Sequence, residues 1–152
     1  MKLQRQRKSG QSYLGKIDFV FYHESEIREG IMQARLESGH CGGVVVVSGS
    51  GISDPTATQA VKNITPLPVI TIHGGHTVKR PESWLIAIKK TYSWCILQKD
   101  CRYEVARRRY SDEDYRKTCH DLNISNSTRR RLLELVQMYA ALQAVQLGLI
   151  QV

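Results

Sequence analysis

One stretch constrains this chain more than any other. In SDEDYRKTCHDLNISNSTRRRLLELV, residues 111–136, capping residues, apolar stripes and a single break follow one another at helical spacing. Ser111 followed by Asp112, Glu113 and Asp114 reads as an N-cap with acids in the first turn, where they complement the helix dipole. Tyr115, Cys119 and Leu122 then fall on one stripe over two turns, with Cys119 small enough for a close helix crossing. Asn123 tolerates the left-handed conformation that ends a helix, and Ile124 is placed to plug the corner. Ser125 caps a second helix whose Leu132, Val136, Tyr139 and Leu142 are expected to face the core, with Thr128 also turned inward. A short helix, a tight turn and a longer helix with basic first turns make a helix-turn-helix.

The charge placement gives that motif a partner class. The second helix opens Asn126-Ser127-Thr128-Arg129-Arg130-Arg131. Asn pairs with adenine, and Arg pairs in bidentate fashion with guanine or with phosphate. Arg107, Arg108 and Arg109 precede the motif, and Arg116 and Lys117 sit in its first helix, so phosphates could be held from several sides. The whole chain agrees in sign: 22 Lys+Arg against 14 Asp+Glu give a net charge of +8, a field that favours polyanions. The competing account is a solvated basic face on a helical bundle, for which the ordered series of cap, stripe, turn, cap and arginines is too specific.

Upstream, residues 1–12 are polar and basic and read as a flexible tail. From Tyr13 to Ser38, Ile17, Val20, Phe21, Ile27, Ile31, Ala34 and Leu36 recur at helical steps, broken only by Gly30, and Gly39 supplies a stop. Val44–Val47, inside a Gly/Ser-rich stretch, reads as a short strand or a connector, and Ser53-Asp54-Pro55 opens a short helix ending near Ile64. Pro66, Pro68 and Gly74-Gly75 bracket a second candidate strand, Val69–Ile72. Pro81-Glu82 starts a helix with Trp84, Leu85, Ile88, Tyr92, Cys95 and Ile96 on its inner face. The expected fold is therefore mainly α. It comprises helices with a short β element over 13–80, a connecting helix over 81–98, and a helix-turn-helix domain over 99–152.

Other chemistries find little support. Val44–Val47 with Ser48–Ser53 superficially resembles the nucleotide loop of sirtuin deacylases, but the GxGxxG spacing and a surrounding βαβ unit are missing. His40-Cys41 and His73-x-x-His76 match no established zinc knuckle, so no metal is expected. No nucleophile–base arrangement has supporting context, so neither enzymatic activity nor a cofactor is expected. No apolar run approaches the roughly 20 residues of a membrane helix, and no apolar region follows the basic start, so the cytoplasm is the expected compartment. Cys41, Cys95, Cys101 and Cys119, without CxxC spacing, would be thiols there.

Val105–Tyr110, SDEDYRKTCHDLNIS and NSTRRRLLELV together resemble the last domain of bacterial sigma factors, which reads the −35 promoter element. They also resemble RinA/ArpU-type regulators of phages and prophages of Gram-positive bacteria. KIDFVFYHESEIREGIMQARLES, GISDPTATQAV and RPESWLIAIKKTY are similar to the opening and middle segments of those regulators. The resemblance implies a late-gene activator that binds double-stranded DNA at promoters, with Asn126, Ser127, Arg130 and Arg131 facing bases and phosphates. It also implies contact with RNA polymerase, as sigma-like domains make. Arg129 departs from the pattern, standing where a buried Val or Ile is usual, and Thr118 stands where Ile is usual. The rival is a DNA-packaging or assembly protein of the small-terminase kind. Its C-terminal helix would form a homo-oligomer, because Tyr139–Leu147 carries more apolar surface than one buried face needs.

Overall fold

The computed structural model describes residues 12–40 and 65–151. The basic tail, the Val44–Val47 strand, the Gly-rich run after it, the Ser53–Ile64 helix and Cys41 lie outside the described residues. Among the described residues the protein is mainly helical with one short antiparallel hairpin.

The first helical segment is two helices rather than one. Helix α1 covers Tyr13–Tyr22 and α2 covers Glu24–His40, with His23 as the joint. His23 Nδ1 lies 2.8 Å from Glu26 Oε1, a local side-chain bond that competes with helix continuation at the joint. Gly30, expected to be the break, lies inside an unbroken α2. It is there for packing: a Cβ would sit 3.0 Å from Ile70 Cδ1. Helix α2 also runs past Gly39 to His40.

The hairpin pairs β1 (Val69–Ile72) with β2 (His76–Lys79), in register Ile70↔Val78 and Ile72↔His76. Its turn takes Gly74 at φ 80 and Gly75 at φ 76, left-handed conformations that favour glycine. The Gly pair is thus a hairpin turn and not merely a strand boundary, and among the described residues the β element occupies 69–79. Ile70, Ile72 and Val78 point into the core while their neighbours face out.

Helix α3 (Pro81–Leu97) begins with Pro at its first position. Its Glu82 carboxylate accepts from the Leu67 amide at 2.8 Å and pairs with Arg35, fastening the hairpin's approach to α2. Trp84, Ala87, Ile88, Thr91 and Cys95 form its buried face. Ile96, expected inside, is 61% exposed because it sits one residue, a 100° rotation, past Cys95. Helices α4 (Arg102–Tyr110), α5 (Tyr115–Asp121) and α6 (Asn126–Gln146) complete the chain.

Helix α6 runs against α1, α3, α4 and α5. Leu132, Val136, Ala140 and Ala144 make its buried stripe at four-residue steps, and the two alanines let α3 approach closely. Leu142, expected to face the core, is exposed, and Gln143 takes the inner position. Tyr139 is half-buried, its ring stacked on Trp94 at 4.2 Å and 3°.

Helices from both sides of residue 99 share one core. The Tyr110 hydroxyl and the Gln137 amide both donate to Asp18 Oδ1 at 2.8 Å, joining α4 and α6 to α1. The Phe21 and Tyr22 rings pack on Tyr110 at 4.9 and 5.2 Å. Burial, and then the Asp18 charge, push the Tyr110 phenol well above its ordinary range, so it remains a donor.

Candidate nucleic-acid interface

The two helices of the motif, α5 and α6, are set by local capping. Ser111 closes α4 instead of opening α5: its hydroxyl donates to the Arg107 carbonyl at 2.8 Å. Asp112 then takes φ 57, and the Asp112 and Glu113 amides bond back to Arg109 and Arg108. The N-cap of α5 is Asp114, whose carboxylate accepts from the Arg116 amide. The acids Asp112 and Glu113 therefore precede the helix and do not form its first turn. Glu113 pairs with the cations nearby, lying 3.1 Å from Lys117 and 3.6 Å from Arg108.

The turn follows the sequence reading. Asn123 sits at φ 51, its amide bonds to His120 O, and the Ile124 amide bonds to Cys119 O, which satisfies the last carbonyls of α5. Ser125 Oγ accepts from the Thr128 amide at 3.1 Å and caps α6.

Packing inside the motif differs from the expected stripe. Thr118 is the buried residue of α5, with its hydroxyl donating to the Asp114 carbonyl at 3.3 Å. Cys119 and Leu122 are only half covered and Tyr115 is exposed, because a seven-residue helix has little to pack against. The Tyr115 ring instead serves as a platform for the Arg129 guanidinium, 5.4 Å from its centroid, with Arg116 at 5.8 Å. Arg129 Nε also donates to Asn126 Oδ1 at 3.0 Å. Arg129 thus packs over an aromatic ring and is not directed freely into solvent. Tyr115 was missed as a partner because the pairing is non-local; the only signal was an arginine where an apolar residue is usual.

The predicted contact residues therefore separate into two groups. Asn126 and Arg129 are half-buried and bonded to each other, and Arg108 is held between Asp121 at 2.7 Å and Glu113. The Arg108 bond keeps the Asp121 carboxyl below its usual range. Ser127, Arg130, Arg131 and Arg116 are exposed. Arg130 and Arg131 have no ion pair among the described residues. Lys117 is 65% exposed and shares Glu113. Arg109 is exposed at the end of α4, its guanidinium over Tyr22 at 5.3 Å. Thr128, expected to turn toward α5, faces solvent.

The first turn of α6 contains no acid, although the positive end of a 21-residue helix attracts one. Arginines follow instead, Arg130 and Arg131 without ion pairs among the described residues, so the helix dipole and two guanidinium groups share one end. Groups of this kind attract anions. Among the described residues no three His, Cys, Asp or Glu side chains come together as a metal-binding group. His73 and His76 flank the hairpin turn, both exposed. No helix among the described residues is long and apolar enough to cross a membrane. Comparison with known protein families, curated proteins and solved structures finds no match to this chain.

Proposed function

We propose that this protein is a non-enzymatic, sequence-specific regulator that binds double-stranded DNA through the first two turns of α6. The observation that carries this is the cation-rich, acid-free start of α6: Arg130 and Arg131 are exposed without ion pairs among the described residues, on a helix whose dipole already favours anions. A helix selected only for stability places acids there. Arg116 and Lys117 on α5 supply phosphate contacts, while Ser127, Arg130 and Arg131 meet bases and phosphates. Asn126 and Arg129 act one step back, each fixing the other's orientation. The sigma-like order of the motif makes a promoter the natural target and RNA polymerase a natural second partner, as in phage late-gene activation.

A second function has its own observation. Met138, Leu142 and Val145 are 66%, 51% and 40% exposed along the C-terminal half of α6. Such a face suits a packaging or assembly protein that forms homo-oligomers. Selection of the full chain against a pool of random duplexes distinguishes the two. Enrichment of one short sequence is expected of a regulator. Salt-sensitive binding without enrichment, together with a high solution mass that Leu142→Lys abolishes, supports assembly. Failure to retain any duplex refutes both.

A further inference from the structure

A second basic site lies at the opposite end of α6 from the motif. A cleft of about 620 Å³ opens between α1, strand β2, the start of α3 and the turn that ends α6. Its size is that of a small-ligand pocket. The floor is apolar and well ordered by packing: Val20, Val78 and Trp84 are all nearly buried. One wall is aromatic, the Phe19 ring meeting His76 edge-on at 5.4 Å.

The polar lining has one sign. Lys16 comes from α1, Lys79 from the end of β2, and Arg80 from the junction with α3. Among the described residues no carboxylate lines the cleft, and Lys16 and Lys79 have no ion pair. Arg80 is aimed across the cleft's edge by one bond, Nη1 to the Gly148 carbonyl at 3.1 Å. A guanidinium has five donors, so most of Arg80's capacity is unspent. Lys16 from α1 and the adjacent pair Lys79-Arg80 carry like charges that repel one another across the cleft; an anion between them reverses that sign. The apolar floor and aromatic wall accept a flat hydrophobic body, which a bare inorganic ion does not have.

We propose that this cleft is a binding site for a small organic anion with a planar ring, the chemistry shared by nucleoside monophosphates and aromatic carboxylates. Lys16, Lys79 and Arg80 hold the anionic group, and the ring lies against Phe19 and over the Trp84 floor. This site is separate from the DNA-binding reading and does not depend on it.

The test follows the Trp84 indole N–H signal in the NMR spectrum of the full chain, assigned with Trp94→Phe. Adenosine 5′-monophosphate, adenosine, benzoate and inorganic phosphate are each titrated. At least one of the two aromatic anions should shift Trp84 saturably at millimolar concentration or below, and which one does so names the ligand class. Adenosine and phosphate, each lacking half of the recognised chemistry, should bind at least tenfold more weakly. Lys16→Glu with Lys79→Glu, both exposed, should weaken the anion at least tenfold without changing the melting temperature, and Lys79→Ala alone should weaken it severalfold. Arg130→Ala should leave it unchanged. Absence of any saturable shift with either aromatic anion overturns the proposal. Phosphate binding as tightly as the aromatic anions, or charge reversal that weakens duplex DNA but not the anion, also overturns it.

Discussion

Replacing Thr128 by glutamate should stabilise the protein and weaken its hold on DNA at the same time. Thr128 is the third residue of α6, exposed, with its amide bonded to Ser125 Oγ at 3.1 Å. A glutamate there completes a capping box, its carboxylate reaching back to the Ser125 amide. It also puts a negative charge at the positive end of a helix that has no acid in its first turn. The dipole interaction contributes about 0.3–1 kcal/mol, and the extra cap bond a similar amount. The exposed Thr128–Ser125 hydroxyl contact at 2.9 Å is lost, at small cost. The net gain is about 1 kcal/mol, a rise in Tm of about 2–4 °C for a domain of this size. The same carboxylate sits one turn before Arg131, at i, i+3 spacing, where phosphates would approach, so duplex affinity should fall at least tenfold. Thermal unfolding followed by circular dichroism and fluorescence anisotropy of a labelled duplex measure the two effects. A gain in stability with unchanged DNA affinity would show that the first turn of α6 does not meet DNA. A loss of stability would show that the Ser125 cap is misread.

Three further outcomes follow from the packing. Asp18→Ala strands the buried Tyr110 hydroxyl and should cost about 3 kcal/mol in denaturant unfolding, with Asp18→Asn costing less than half of that because an acceptor oxygen remains; equal losses for both would contradict the shared-acceptor geometry. Asn123, at φ 51, should accept glycine with no loss, whereas Asn123→Val should cost about 1–2 kcal/mol of stability in the same assay. Burial raises the Cys95 thiol from 9.0 to about 11. Its contribution to stability is therefore complete below pH 9 and declines as pH climbs toward 11, and Cys95→Ala should flatten that part of the stability–pH curve. A curve unchanged by Cys95→Ala would assign the decline to another group.

What could be read from the sequence was what the chain decides locally. Asn123 at the break, Ser125 at the cap, Pro81 at a first helical position and Val69–Ile72 between turn residues all appear where their own backbone preferences put them. Features set by distant neighbours were not legible. Nothing near His23 marks it as a joint more strongly than Gly30, which looks like a breaker until α2 is laid on Ile70. Strand β2 is polar except for Val78 and shows itself only through pairing with β1. Ser111 and Asp114 both make acceptable caps; the bond from Ser111 back to Arg107 decides between them. In the candidate site Ser127, Arg130 and Arg131 are exposed, as helix periodicity counted from the Ser125 cap places them, whereas Asn126 of the same expected face is half-buried. The inward turn of Arg129 and Asn126, the neutralised Arg108 and the inner position of Gln143 instead of Leu142 all depend on the rotation of α6 against its neighbours.

The most direct test is the salt dependence of duplex binding by the full chain and by the double substitution Arg130→Ala with Arg131→Ala. Both arginines are exposed and without ion pairs among the described residues, so their removal should leave Tm within about 1 °C, as for surface positions generally. Each phosphate contact contributes about 0.9 to the slope of log K against log salt. If both arginines meet the backbone, the slope should fall by about two; if one reads a base instead, it should fall by about one, with the preference between enriched and scrambled duplexes reduced. An unchanged slope and an unchanged preference would contradict the assignment of the DNA-binding face to the start of α6.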